Sequence, residues 1–223
     1  MWIKVKGSTM AQYKHEVTIP VEKAEVSGEL TIPGEAANVV IFAHGSGSSR
    51  FSTRNQMVAN YLHKHNLGTF LFDLLTKEED QDYSNRFNIE LLAKRLLTAT
   101  EWLQSQTETK GLYYSYFGAS TGAAAALIAA SAKPQITAVV SRGGRPDLAM
   151  ESLAGVKAPT LLIVGSRDLD VLKLNHKALE KLSAERQLVE VEGATHLFEE
   201  PGTMEEVCRL AADWFLKHSI PLI

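Results

Sequence analysis

The stretch YFGASTGAAAA, residues 116–126, decides how the rest of the chain is interpreted. An apolar run ends in Gly118-Ala119-Ser120-Thr121-Gly122, and a block of alanines follows at once. This order is typical of a buried strand, a tight turn and a helix that packs closely on a sheet. By itself it leaves two interpretations of Ser120 open: a nucleophile exposed on a strained turn, or a serine that caps a helix.

The composition of the chain argues against several classes of protein. With 223 residues, 45% of them hydrophobic, we expect one domain with a full core. A net charge of −3 with scattered arginines predicts no nucleic-acid partner. No apolar segment approaches the roughly 20 residues that span a bilayer, and the single Cys208 is expected only to pack in the core. We expect a cytoplasmic protein without membrane binding, in which residues 1–9 are a leader or tag-like extension and residues 10–223 the domain.

Short apolar runs alternate along the chain with segments of helical spacing. Before them, two segments with alternating polar and apolar residues predict an antiparallel hairpin, at residues 13–19 and 24–32. The predicted buried strands lie at residues 38–43, 69–72, 112–117, 136–140, 160–164 and 187–191. The predicted helices lie at residues 53–65, 89–104, 121–132, 171–182 and 204–218. This alternation predicts an α/β fold with a mostly parallel central sheet and helices on both faces.

Side chains suited to acid–base chemistry follow two of the later strands, at the strand ends where functional loops of such a sheet collect. His196 follows the last strand and could be the base that the Ser120 hydroxyl needs. Asp168 and Asp170 follow the strand before it, and either carboxylate could orient the imidazole. Asp168 is preferred because it lies nearer the strand end, where position is best defined. The alternatives are a surface histidine and two aspartates that cap the next helix.

A loop of small residues, His44-Gly45-Ser46-Gly47-Ser48-Ser49, follows the first buried strand. Backbone N–H groups in such a loop can stabilise negative charge that develops on a carbonyl oxygen. We predict that the donors are the backbone amides of Ser46 and Thr121. The glycines match neither G-x-x-x-x-G-K-[ST] nor a G-x-G-x-x-G that opens a helix, so phosphate binding is disfavoured. The pattern favours serine-based acyl chemistry that uses no metal and no organic cofactor.

Together these motifs resemble the α/β-hydrolase superfamily, and within it the small dienelactone hydrolase-like members. The resemblance runs from about residue 13 onward and is carried by HGSGSSR (44–50), GASTG (118–122), SRGGRPDLA (141–149), LLIVGSRD (161–168) and GATH (193–196). The chain order Ser120, Asp168, His196 is that of the superfamily. Dienelactone hydrolases proper use cysteine at the position of Ser120, so the resemblance implies serine ester hydrolysis more readily than dienelactone cleavage. Some proteins with the SRGGRPDLA motif are fused to phosphoribosyltransferase domains, and we do not expect that activity of this chain.

The predicted substrate pocket is open, because only a short connection joins the strands at 136–140 and 160–164 and leaves no room for a large cap domain. Four arginines are candidates for its mouth: Arg50, Arg54, Arg142 and Arg145. A guanidinium can hold a carboxylate by two parallel hydrogen bonds, which would favour an anionic ester or lactone. Alternatively, these arginines pair with nearby acids such as Asp147.

Three functions fit these residues. The first is cleavage of a small-molecule ester or lactone through an acyl-enzyme on Ser120. The second is acyl transfer or thioester cleavage by the same three residues. The third is non-catalytic ligand binding on the same fold, because a fold alone does not confer activity. The complete set of serine, acid and histidine disfavours the third function, but it does not distinguish the first from the second. The residues favour no particular oligomeric state.

Overall fold

A single nine-stranded sheet forms the centre of the computed structural model, which describes residues 2–3, 12–22, 24–34 and 36–219. The strands are β1 (Trp2–Ile3), β2 (Gln12–Val21), β3 (Ala24–Pro33), β4 (Asn38–Ala43), β5 (Gly68–Phe72), β6 (Tyr113–Ala119), β7 (Ile136–Arg142), β8 (Thr160–Gly165) and β9 (Arg186–Val191). The helices are α1 (Thr53–Lys64), α2 (Ile89–Ser105), α3 (Thr121–Ala132), α4 (Leu169–Lys181) and α5 (Thr203–His218). The order of the strands in the sheet is β1-β2-β3-β5-β4-β6-β7-β8-β9.

The strand directions confirm the predicted fold class. Strands β2 and β3 form an antiparallel hairpin, and β3 pairs antiparallel with β5. In the rest of the sheet, β5, β4, β6, β7, β8 and β9 lie side by side in that order, and each neighbouring pair is parallel. The carboxyl ends of these strands therefore lie at one edge of the sheet, where Gly118 of β6 pairs with Ala43 of β4 on one side and Ser141 of β7 on the other.

Helices cover both faces of the sheet. Helices α1 and α5 pack on one face, in a core that includes Phe42, Phe117 and Phe215. Helices α2, α3 and α4 pack on the other, around Phe70 and Tyr116. The alanine block at the start of α3 is fully buried, and its small side chains let that helix lie close to the sheet.

The structure extends most of the predicted strands, and two of the extensions lie beside the Ser120 turn. Strand β6 continues to Ala119 and β7 to Arg142, because the ladder goes on through the pair Ala119 and Arg142. The sequence prediction stopped earlier, where small or charged residues replaced the apolar run. Between β7 and β8 lie only two short 3₁₀ helices, Pro146–Ala149 and Leu153–Gly155, so the expected lack of a large cap holds for this connection.

The amino-terminal prediction is only partly covered by the structure. Trp2–Ile3 pairs with β2 at the edge of the sheet, and the rest of the predicted leader lies outside the described residues. The division into residues 1–9 and 10–223 stays a prediction. None of the described helices is long and apolar enough to cross a membrane.

Candidate active site

Ser120 occupies the turn that joins β6 directly to α3. Its backbone has φ 50° and ψ −120°, a conformation that serine rarely adopts. Such strain costs about 1–3 kcal/mol and persists only where surrounding contacts enforce it. Here the Ser120 N–H donates to the Arg142 carbonyl at 3.2 Å, and the Arg145 N–H donates to the Ser120 carbonyl at 3.1 Å. The Ser120 side chain makes no capping hydrogen bond, so the helix-cap interpretation is not supported.

The glycines on either side of Ser120 allow a close approach of backbone segments. A Cβ atom at Gly118 would lie 2.8 Å from the backbone nitrogen of Ala123, in the first turn of α3. A Cβ atom at Gly122 would overlap the carbonyl oxygens of Ala43 and His44. Any side chain at either position would push the helix away from β4 and β6. The G-x-S-x-G spacing is thus a packing requirement that brings the turn against residues 44–49, which we call the oxyanion loop after its predicted role.

The structure brings His196 to Asp168, with 2.6 Å between Nδ1 and Oδ2. The loops that carry them are joined, because the Arg167 N–H donates to the Ala194 carbonyl at 2.9 Å. Asp168 is the residue before α4, but its side chain caps no backbone N–H, which leaves the carboxylate for the imidazole. Asp170 instead has a side chain that is 95% exposed and pairs with a lysine one turn along α4.

Ser120 and His196 line one cavity of about 250 Å³ at the carboxyl edge of the sheet. Gly45 and Ser46 of the oxyanion loop form part of the same wall. With Nδ1 of His196 bonded to Asp168, Nε2 is the ring nitrogen that remains for a hydroxyl or a substrate. The arrangement can therefore support nucleophilic attack by a serine assisted by a histidine base.

The two predicted oxyanion donors differ in their surroundings. Thr121 is the first residue of α3, where a backbone N–H has no partner within the helix. The Ser46 N–H already donates to Oγ1 of Thr121 at 2.9 Å. It can serve a substrate oxygen only if the Thr121 hydroxyl rotates away or shares the hydrogen. The assignment of both amides as oxyanion donors stays a prediction. For Ser46, the bond to Thr121 competes with that role.

Comparison with known proteins identifies the family. A family model described as "Alpha/beta hydrolase domain" matches residues 36–212, which is most of the chain. The chain belongs to this α/β-hydrolase family. A solved dienelactone hydrolase from Anabaena variabilis ATCC 29413 is 49% identical, with a TM-score of 0.91 over 94% of this chain and 99% of that one. Est1E from Butyrivibrio proteoclasticus, at 13% identity and a TM-score of 0.78 over 91% of this chain and 98% of its own, shares the fold.

Two curated relatives of this α/β-hydrolase come from Mycobacterium tuberculosis strains CDC 1551 / Oshkosh and ATCC 25618 / H37Rv. Both are provisionally named phosphoribosyl transferases, and each is 55% identical over 204 residues. The match covers 91% of this chain but 46% of each relative. The α/β-hydrolase chain thus spans about half the length of the curated relatives it matches.

His44 anchors the start of the oxyanion loop of this α/β-hydrolase. Its Nε2 accepts a hydrogen bond from the Leu74 N–H at 3.0 Å, so Nδ1 carries the hydrogen and donates to the Gly45 carbonyl at 3.0 Å. Burial lowers the pKa of His44 and favours this neutral form. This role of His44 is not predicted from the sequence, where its position in the H-G-S-G motif was the available signal.

Two of the four candidate arginines, Arg50 and Arg145, are not among the residues that line this cavity. Arg50 forms an ion pair with Asp73 and lines a separate pocket beyond the oxyanion loop. Arg145 forms two hydrogen bonds of 2.8 Å with Asp147. Asp147 lies two residues after Arg145, and Asp73 directly follows the end of β5. Both arginines therefore pair with nearby acids, as the alternative interpretation of the sequence expected.

The other two arginines, Arg54 and Arg142, line the cavity together with Ser120 and His196. Arg54 lies in the first turn of α1 and contacts Glu199 through a hydrogen bond of 3.2 Å. Arg142 ends β7 and is only 7% exposed. The cavity of this α/β-hydrolase therefore has a positively charged side.

Asn55 is a further cavity residue that the sequence analysis missed. It is 2% exposed and lies on the buried face of α1 with Val58, Ala59 and Leu62. A polar residue at that helical spacing among apolar ones was the signal that could have identified it. Within the described ranges, no group of three or more His, Cys, Asp or Glu side chains is placed to hold a metal ion.

Proposed function

We propose that this chain is a serine hydrolase that cleaves small carboxylic esters or lactones through an acyl-enzyme intermediate. The observation that carries the proposal is the shared cavity: Ser120 on its strained turn faces the same space as His196, which Asp168 holds at 2.6 Å. The similarity to a dienelactone hydrolase at 49% identity supports esters and lactones as the substrate class.

In the proposed reaction, Oγ of Ser120 attacks the carbonyl carbon while Nε2 of His196 takes the hydroxyl proton. Asp168 keeps the imidazole in the required tautomer and stabilises the imidazolium. The Thr121 N–H, joined by Ser46 once its own bond is released, stabilises the oxyanion. His196 then returns the proton to the departing alcohol oxygen. A water molecule then attacks the acyl-enzyme and gives a proton to Nε2 of His196. As the acid product leaves, His196 passes this proton to Oγ of Ser120.

Other functions rest on weaker support. Thioester cleavage and acyl transfer would use the same acyl-enzyme with another leaving group or acceptor, and no observed contact favours them over hydrolysis. A non-catalytic ligand receptor would leave the strain at Ser120 without a role. The transferase name of the mycobacterial relatives does not assign an activity to this chain, because the match covers 46% of their length.

Labelling with a fluorophosphonate tests the proposal directly. We expect the probe to modify wild-type protein on the tryptic peptide of residues 111–142, which contains Ser120, and not to modify Ser120→Ala. Folded wild-type protein that takes up no probe and hydrolyses none of a panel of short acyl esters, lactones and thioesters would overturn the hydrolase proposal and favour a receptor.

We expect Asp168→Asn to lower kcat for ester hydrolysis by about 10⁴-fold. The amide cannot accept the Nδ1 hydrogen as a carboxylate does, so it favours the wrong tautomer of His196 and does not stabilise the imidazolium. Asp170→Asn is the matched control, because that side chain is exposed and bonded to Lys173. Steady-state kinetics of both variants decide between the two aspartates. Equal losses would show that the contact between Asp168 and His196 has no special role.

We expect Thr121→Val to raise kcat severalfold, because it removes the acceptor that competes for the Ser46 N–H. A neutral hydrogen bond contributes about 0.5–1.5 kcal/mol, which corresponds to a factor of roughly 2–12 in rate. Thr121→Ser keeps the hydroxyl and serves as the control. A lower kcat for the valine variant than for the serine variant would mean that the hydroxyl holds the amide in place rather than competing for it.

A further inference from the structure

Arg142 is a buried cation whose charge has no visible counterpart. It is 7% exposed, and within the described part of the chain no carboxylate lies within 4.0 Å of its guanidinium. Its Nε atom has no hydrogen-bond partner there either, and the guanidinium carbon lies 5.8 Å from the centre of the Phe198 ring. Burying a charge without a partner is unfavourable, so such groups are normally paired.

Arg54 adds a second positive charge to the same cavity. Burial, followed by repulsion from Arg54, lowers the pKa of Arg142 to about 10, so that Arg142 still carries its charge at neutral pH. The Nε atom of Arg54 has no hydrogen-bond partner among the described residues, and its ion-pair partner Glu199 has a side chain that is 68% exposed. An anion between the two guanidiniums would offset the repulsion between their charges.

Asn55 adds a buried polar side chain to the same wall of the cavity. Its Oδ1 atom is buried and lacks a hydrogen-bond partner within the described residues. The position of Asn55 is well defined, because its backbone N–H donates to Oγ of Ser52, which caps α1. Oδ1 is a hydrogen-bond acceptor and would need a donor such as a hydroxyl group, so Asn55 makes this wall polar, whereas Arg142 and Arg54 give it positive charge.

We propose that the substrate carries an anionic group, a carboxylate or a phosphate, which binds between Arg142 and Arg54 while its ester or lactone carbonyl lies at Ser120. This inference rests on the proposed function and names its substrate class. It separates Arg142 and Arg54, which line the Ser120 cavity, from Arg50 and Arg145, which are paired with Asp73 and Asp147 outside that lining. A cavity of about 250 Å³ is small for a ligand site, so the anion lies a few bonds from the scissile carbonyl.

Matched esters test the inference. 4-Nitrophenyl hemiglutarate and 4-nitrophenyl pentanoate have acyl chains of equal length and differ in a terminal carboxylate against a methyl group. We expect the wild-type protein to prefer the hemiglutarate in kcat/KM. Arg142→Met should lower kcat/KM for the hemiglutarate about 10- to 100-fold and leave the pentanoate within about 2-fold. Arg54→Gln should act in the same direction, whereas Arg209→Gln, on the exposed side of α5, should change neither.

Binding without turnover provides an independent readout. We expect glutarate or inorganic phosphate to raise the Tm of Ser120→Ala, and a stronger effect of one ligand identifies the anion as carboxylate or phosphate. Neither glutarate nor phosphate should raise the Tm of the double variant that combines Ser120→Ala with Arg142→Met. Without ligand, Arg142→Met should have a higher Tm than wild type, because a buried unpaired cation is replaced by an apolar chain of similar length. A purely structural arginine would give a lower Tm.

The outcomes separate the two proposals. If Ser120 is labelled and both esters are cleaved equally well, or if Arg142→Met affects both equally, the anion site is wrong and the hydrolase proposal stands. If Ser120 is not labelled and no ester is cleaved, the hydrolase proposal fails. In that case stabilisation by glutarate or phosphate that depends on Arg142 would still establish the anion site, and its absence would overturn that site as well.

Discussion

Replacing Ser120 by alanine is expected to lower kcat for ester hydrolysis by about 10⁶-fold. Loss of Oγ removes the atom that forms the acyl-enzyme, and the remaining groups can only polarise the carbonyl toward water. The fold should survive, because the Ser120 side chain makes no capping bond and its backbone bonds to Arg142 and Arg145 are retained. Steady-state kinetics with 4-nitrophenyl esters and a thermal melt measure both effects.

Two further substitutions control this experiment. Ser131→Ala changes a serine near the end of the same helix, where Oγ donates to the Ile128 carbonyl, and should retain full activity. Ser120→Gly should be as inactive as the alanine variant but have a higher Tm, because glycine adopts positive φ without strain. If Ser120→Ala kept more than a few per cent of wild-type kcat, Ser120 could not be the nucleophile.

Gly122→Ala is expected to lower the free energy of unfolding by about 3 kcal/mol or more, or to prevent folding. The added methyl group would overlap the carbonyl oxygens of Ala43 and His44, which are backbone atoms that cannot rotate away as a side chain does. Relief requires α3 to separate from β4, which would also pull Ser120 away from the oxyanion loop. Urea denaturation followed by circular dichroism measures the change.

Gly155→Ala is the matched control for this stability test. A Cβ atom at Gly155 would meet only the Ser131 side chain, at 3.4 Å, which is an ordinary contact. Its free energy of unfolding should stay within about 1 kcal/mol of wild type. Equal stability of the Gly122 and Gly155 variants would contradict the close approach of α3 to β4 described above.

The fold could be predicted from the sequence because its main signals are local. Each buried strand appears as a short apolar run, and each helix as a spacing of three to four residues, so the alternation and the parallel sheet follow. Strand ends were less certain. Strand β7 runs on to Ser141 and Arg142, and no local preference marks a serine and an arginine as strand residues.

The candidate site was predictable as a set of residue types at strand ends, but the choice among neighbours was not. Asp168 and Asp170 are equally acidic and two positions apart. The start of α4 at Leu169 turns Asp170 toward solvent and leaves Asp168 at His196. The bond from the Ser46 N–H to Thr121 likewise joins residues 75 positions apart, and no local pattern encodes it.

The sequence by itself determined the α/β architecture, the chain order of a serine, an acidic residue and a histidine at strand ends, and the need for small residues around the serine. Those properties follow from periodicity, residue size and chain order, which are local properties of the sequence. Only the tertiary structure decided which charges are paired. Arg50 and Arg145 have carboxylate partners, whereas Arg142 is buried beside Arg54 and Asn55 at the Ser120 cavity. The pairing of a charge depends on which distant side chains packing brings within a few ångströms, and on how much water it removes from them.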